Sequence, residues 1–354
     1  MDTSRRRRTN TIGLLLSVIT GAAPAHLAAQ GCEPIRFTTP VNLGGEGKAY
    51  QPGHEWQLTL AYRHLESGDW FVGRSQNAAL APGGVSPVFK IHTFVGDVSY
   101  SLTDRVRVRA SVPISTGTLN RVWPDRTVHE QSATGIGDIS VQAESWLLDP
   151  RTHDDGNISL GLGVKAPTGS HTLPSQFFTA GGAVNFPADQ TIQPGDGGWA
   201  ILTQAQAFKQ VAAHAFVYGF GSYMISPKAH SDVEWQPGTK VYWSVPDVYS
   251  ARVGAAYSVF DNQRLTLSLG ARVDGIPLHD LIGGGDDSTI KRTSRVIFAD
   301  PGLSIVAGHG TFTLSTPIRV SVNRMKSLYE QKTNAVNGGG FANYLVFVSY
   351  AYRL

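Results

Sequence analysis

From about residue 54 to the C-terminus, apolar and polar side chains alternate one for one. The final stretch shows it most plainly. Tyr344, Val346, Val348, Tyr350, Tyr352 and Leu354 fall on one side, and Asn343, Leu345, Phe347, Ser349, Ala351 and Arg353 on the other. Val106, Val108, Ala110 and Val112 alternate in the same way with Arg105, Arg107, Arg109 and Ser111. Ile158, Leu160, Leu162 and Val164 alternate with Ser159, Gly161, Gly163 and Lys165. Leu265, Leu267, Leu269, Ala271 and Val273 do so with Thr266, Ser268, Gly270, Arg272 and Asp274. A period of two is the signature of a strand with unlike faces, and no sustained 3.6-residue stripe competes with it.

The pattern predicts twelve strands, near 54–65, 89–102, 105–118, 136–148, 157–167, 199–211, 214–226, 247–259, 264–276, 295–307, 311–324 and 342–354. Most are longer than the five or six residues typical of globular strands and match the 9–11 residues of a tilted membrane-spanning strand. Short turns follow the even-numbered strands: Thr103-Asp104, the Asp149–Gly156 stretch, Ala212-Ala213, Asp261-Asn262-Gln263 and Gly308-His309-Gly310. Long loops follow the odd-numbered ones, the longest being 168–198. An even strand count with short turns at one end and long loops at the other predicts an all-β fold. It is a closed antiparallel transmembrane β-barrel with periplasmic turns and extracellular loops. Closure follows because a sheet edge facing lipid would leave backbone groups unpaired. A soluble sandwich would alternate in the same way, but strand length and loop asymmetry favour the barrel.

Composition sharpens this picture. Only 16% of residues are charged, against 41% hydrophobic, where about 25% charged is usual. The formal charge of +3 comes from the N-terminus. Residues 1–29 hold four of the 30 basic residues (Arg5, Arg6, Arg7 and Arg8) and one of the 27 acidic ones (Asp2), so the remainder carries 26 of each. No basic stripe is left, and nucleic acid is not an expected partner. The arginines, the apolar run Ile12–Ala23 and the small residues Leu27-Ala28-Ala29 or Ala23-Pro24-Ala25 have the form of a cleaved secretory signal. The expected organisation is a signal peptide over 1–29, a periplasmic segment over 30–53 and an outer-membrane barrel over 54–354. The single cysteine, Cys32, cannot form an internal disulfide. Ala29 stands where a lipoprotein signal usually has Leu, so an incidental thiol is favoured over a lipid anchor.

Trp56, Tyr62, Tyr100, Tyr249, Tyr257, Tyr344 and Tyr352 lie toward strand ends on the apolar faces, suited to the two membrane interfaces. The last strand resembles the closing strand that the barrel assembly machinery reads, with Leu354 in place of the usual terminal aromatic. A second likeness lies mid-chain. Gly135-Ile136-Gly137-Asp138-Ile139 opens the fourth strand and Ala166-Pro167-Thr168-Gly169 closes the fifth. This pair resembles the outer-membrane family named for the meta-pathway of phenol degradation. The resemblance implies a barrel transporter for hydrophobic or aromatic compounds. Physically, the glycines admit a bend or a close backbone approach, and Pro167 ends ladder pairing.

Alternation places Arg63, Asp97, Arg105, Arg107, Arg109, Asp138, Glu144, Lys165, Arg252, Arg272, Asp274 and Arg319 on the lumen side. Twelve strands enclose a narrow lumen, between a side-chain-filled barrel of about 8 and an aqueous channel of about 16. The column Arg105, Arg107, Arg109 either guides anions or pairs with Asp97, Asp138 and Glu144, and pairing is favoured. Phe177, Phe178 and Phe186, in the longest loop, either fold inward as an apolar constriction or pack against neighbours at the rim. No Gly-x-Ser-x-Gly elbow occurs, and His64, His92, His214, His279 and His309 are scattered without zinc-site spacing. Asp286-Asp287 and Asp154-Asp155 lack the periodic ligands of a calcium loop. No cofactor, metal or catalytic residue is therefore expected. The expected function is passive uptake of small hydrophobic or aromatic solutes across the outer membrane. The expected partners are lipid, the assembly machinery and the solute. An outer-membrane lipid hydrolase and a structural barrel with a closed lumen are the alternatives.

Overall fold

The computed structural model describes residues 51–354 apart from 261–263, 284–286 and 336–337. The signal peptide, Cys32, most of the 30–53 segment, the Asp261-Asn262-Gln263 turn and Asp286 lie outside the described residues. The twelve barrel strands are β1 (Trp56–Val72), β2 (Val88–Ser101), β3 (Val106–Val122), β4 in two segments (Val128–Ile136 and Ser140–Trp146), β5 (Gly156–Lys165) and β6 (Ala200–Ala212). They continue with β7 (Ala215–Ile225), β8 (Val248–Ser258), β9 (Leu265–Ile276), β10 (Ser294–Ala307), β11 in two segments (Gly310–Ser315 and Ile318–Arg324) and β12 (Gly339–Arg353). Each pairs antiparallel with the next, and β12 closes on β1 from Gln57↔Arg353 to Phe71↔Gly339. The sheet has no edge, as lipid demands.

The period of two settles which face is which. On β1, Leu60 is 72% exposed and Arg63 6%. Phe94, Ile114, Leu160, Leu162, Val253, Leu267 and Leu269 are likewise exposed on the outside of their strands. Their exposure on a monomer is that of a surface made for hydrocarbon. Among the aromatics, Trp56, Tyr257, Tyr344 and Tyr352 are exposed, and the Trp56 and Tyr100 rings meet at 4.7 Å near the short-turn end.

One expected loop is strand instead. The connection after β3 is only residues 123–127, because β3 and β4 continue as a hairpin beyond the apolar band. Most of its outward residues are polar. Thr116 and Thr134 hydroxyls lie 2.7 Å apart, and Asn120 donates to Glu130 at 2.7 Å. A strand whose outer face leaves the lipid loses the apolar half of its alternation, so sequence periodicity stops marking it.

The Gly135–Ile139 motif is a β-bulge. Ile114 opposes Ile136, but Ser111 opposes Ser140, so the register advances by one residue between them. Before the bulge odd-numbered side chains face inward; after it Ser140, Gln142 and Glu144 do. Gly137 and Asp138 are both buried at the switch. Gly137 N–H donates to Pro113 O at 2.8 Å. Pro113 has no N–H to return, and the bulge is where a ladder tolerates that loss.

Candidate functional site

Paired charges line the inner wall from the short-turn end upward. Glu144 is held between Arg107, by a short hydrogen bond, and Arg109 at 3.1 Å; Arg109 also donates to Gln142 at 2.9 Å. Arg252 lies 2.8 Å from Asp300, which accepts from the Ser315 hydroxyl at 2.5 Å, and its guanidinium stands over the Tyr218 ring. Arg272 donates to Asp274 at 2.8 Å, Ser250 adds a bond of 2.6 Å, and Phe347 lies beneath the guanidinium. Arg63 and Asp97 are buried on the same inner face. Higher up, Arg319 donates to Asp69 at 2.6 Å and stands over Phe71. Burying ions is costly unless they are paired; Arg252, Arg272 and Arg319 each meet one carboxylate, and Glu144 meets two arginines.

Arg105 departs from the expectation. It stands in the turn before β3, exposed at the short-turn mouth, because β3 begins only at Val106. The arginine column pairs with Glu144 alone among the three acids considered. Asp138 serves a different cation.

That cation is Lys165, fully buried at the long-loop end of β5. Its ammonium donates to Asp138 at 2.9 Å, Asp196 at 2.5 Å and Gly198 O at 2.8 Å. Asp138 also accepts from Gly169 N–H at 2.9 Å. The two halves of the sequence motif thus meet. Asp138 of the bulge captures the backbone of Gly169, and Thr168 bonds Ile139 N–H at 2.8 Å. The fit is tight: a Cβ on Gly169 would lie 2.7 Å from Gly137 C, and one on Gly195 2.4 Å from Gly169 O.

Through Asp196 the node holds a loop inside the barrel. Residues 188–198 are almost all buried. Ile192 joins Trp70, Phe89, Leu119, Ala133 and Ala188 in an apolar cluster, and Gly117 leaves room for it. The loop's other anchor is Arg292, which donates to Thr191 at 2.9 Å, lies 3.6 Å from Asp189 and stacks over Trp243. A second apolar cluster, including Leu65, Ile91, Phe298, Phe341, Leu345 and Phe347, covers the inner face of β10, β11, β12, β1 and β2. Apolar packing and the infolded loop therefore fill much of the lumen toward the long loops, around the Lys165 node and the Arg319–Asp69 pair.

Phe177, Phe178 and Phe186 lie in a hairpin of Pro174–Thr179 with Gly182–Pro187. Phe177 packs edge-on against Trp123 and Phe186, and Phe178 stacks on His129 with ring centres 3.7 Å apart. Trp123 and His129 belong to the β3–β4 extension. Sequence reasoning missed Asp196, Asp189, Arg292 and Arg324, the last of which pairs with Glu330 at 2.5 Å beside the short helix Leu328–Lys332. They lie in irregular loops or at a strand end, where no local period marks a pairing.

His64 and His92 stack on the outward face of β1 and β2, 4.6 Å apart. Asp155 pairs with Lys209, and Asp287 with Lys332 at 3.0 Å. Among the described residues no group of three or more His, Cys, Asp or Glu is placed to hold a metal ion. A small cavity of about 50 Å³ remains in the lumen between β3 and β8.

Fold and site together define a closed, twelve-stranded barrel of the transmembrane kind, with a paired-charge lumen and an infolded loop. Solved structures of that kind are similar to it. An outer membrane channel from Pseudomonas putida F1 superposes with a TM-score of 0.60 and 13% identity, covering 88% of this chain and 99% of that one. The P. putida toluene transporter TodX gives 0.42 and 11%, covering 93% and 95%. The translocator domain of the autotransporter NalP from Neisseria meningitidis gives 0.42 and 15%, covering 86% and 90%. No family model matches the chain, and no curated protein does.

Proposed function

We propose that the protein is an outer-membrane channel for small hydrophobic or aromatic solutes, exported by a cleaved signal peptide and closed in the conformation described. The observation that carries this reading is the lumen itself. Its charges are held in ion pairs, a cavity persists beneath the infolded loop, and that loop is held by side-chain pairs rather than by ladder hydrogen bonds. Such a loop can be displaced without opening the sheet. The likeness to a channel barrel, at full length of that chain, supports the reading. The resemblance carried by Gly135–Ile139 and Ala166–Gly169 supports the solute class. The stripe of β12 that pairs with β1 is the segment offered to the assembly machinery, and the apolar outer band is the surface offered to lipid.

A second reading, a structural barrel with a closed lumen, is favoured by the apolar packing toward the long loops. Solute flux into proteoliposomes decides. Uptake of toluene-like solutes above that of protein-free vesicles supports the channel. Flux equal to the blank supports the closed barrel. Calcium-dependent release of fatty acid would favour the lipid hydrolase over both.

A further inference from the structure

The cavity below the infolded loop has a mixed lining. Arg109, Gln142 and Gln204 come from β3, β4 and β6, and Phe220, Met224 and Val248 from β7 and β8. Arg109 is the one charged side chain on its lining. The amides reach the cavity because β5 has no inward Cβ there. A Cβ on Gly161 would meet Gln204 at 2.5 Å and Gln142 at 2.7 Å.

The charge behind Arg109 is unequal. Arg107, Glu144 and Arg109 form a triad of two cations and one anion, with Glu144 buried between the arginines. The neighbouring pairs Arg252–Asp300 and Arg272–Asp274 are balanced. The opposite imbalance, Asp138–Lys165–Asp196, is already met by backbone donors from Gly169, Asp196 and Gly198. Both contacts of Arg109 run through Nη2, whereas a guanidinium presents five N–H donors in a fork that matches a carboxylate. An inorganic anion would leave the Phe220 side of the cavity wet, and a hydrocarbon would offer the further donors of Arg109 no acceptor.

We propose that this cavity binds small amphipathic anions, a carboxylate on a compact apolar body, with the carboxylate at Arg109 and the body against Phe220 and Met224. The proposal rests on the channel reading and narrows its solute class, yet binding is measurable without transport. Benzoate and benzamide share a ring and differ in charge, so equilibrium binding of each to the full barrel in detergent is the test. The wild type is expected to favour benzoate by about tenfold, the value of one charge-assisted hydrogen bond. Arg109→Gln should bring the two affinities together. Arg109→Lys should keep part of the preference, and Phe220→Ser should weaken both ligands alike. Equal binding of the two ligands to the wild type, or a preference that survives Arg109→Gln, would overturn the proposal. If Arg109→Gln fails to assemble, the wild-type ratio alone decides, since a site without an anion preference cannot be this one. Flux of benzamide into proteoliposomes reports separately on the channel. A barrel that passes benzamide without binding benzoate keeps the channel and loses the anion site.

Discussion

Two regions of the lumen solve the same problem in opposite ways. Each must fill the inside of a twelve-stranded wall whose outer face is committed to hydrocarbon. In one, the wall pairs its charges side by side: Arg107 and Arg109 with Glu144, Arg252 with Asp300, Arg272 with Asp274. In the other, toward the long loops, apolar side chains and an infolded loop fill the space. A cavity persists beside Arg109; the apolar clusters leave little room. Alternation alone therefore says which residues face inward but not whether the inside is open. That depends on what the loops bring, and here residues 188–198 bring Ile192 and Asp196.

The largest expected effect removes both regions at once. Without residues 345–354, β1 loses its partner from Gln57 to Leu65 and the sheet has an open edge. No heat-modifiable barrel should form, and normal outer-membrane levels of the truncated chain would show closure by another strand. Next, Lys165→Met would leave two carboxylates facing each other in a buried site, a loss of about 3–5 kcal/mol. The contrast is Lys209→Met, whose exposed pair with Asp155 is worth about 0–1 kcal/mol. Denaturant midpoints in detergent micelles would separate the two, and equal shifts would deny the node its role.

Third, Leu267→Arg puts a charge on the lipid face and should cost about 2–4 kcal/mol at mid-membrane, whereas Ser111→Arg, on the lumen side, should be milder. Refolding yield into vesicles measures the difference, and equality would invert the in/out assignment. Last, Gly169→Ala forces a methyl against Gly137 and should cost about 1–3 kcal/mol by overpacking. Its effect should fall on the loop, so limited proteolysis between 188 and 198 should rise before the barrel unfolds.

Much of the wall was legible because lipid enforces it. Leu60, Leu160 and Leu267 point outward since nothing else is compatible with hydrocarbon, and a single-residue slip would turn every one of them inward. The register change at Gly137–Asp138 was legible as a bend in glycine and aspartate but not as a bulge, since two consecutive inward residues look like any loop start. The hairpin beyond Thr116 was hidden where water replaces lipid and the outer face turns polar. The infolded loop was the least visible. Its anchors are tertiary: Asp196 meets Lys165, and Arg292 reaches Thr191 across 101 positions. No local period records such pairings.

The account's central claim is that residues 188–198 close an otherwise channel-like barrel. Planar-bilayer conductance of the wild type and of a variant in which these residues are exchanged for a shorter Gly/Ser connection tests it most directly. The exchange removes Ile192 and Asp196 and leaves Lys165 paired with Asp138, so the wall should still assemble. A conductance several-fold above that of the wild type is the predicted result; a shortened loop in a fully assembled barrel with unchanged conductance would contradict it.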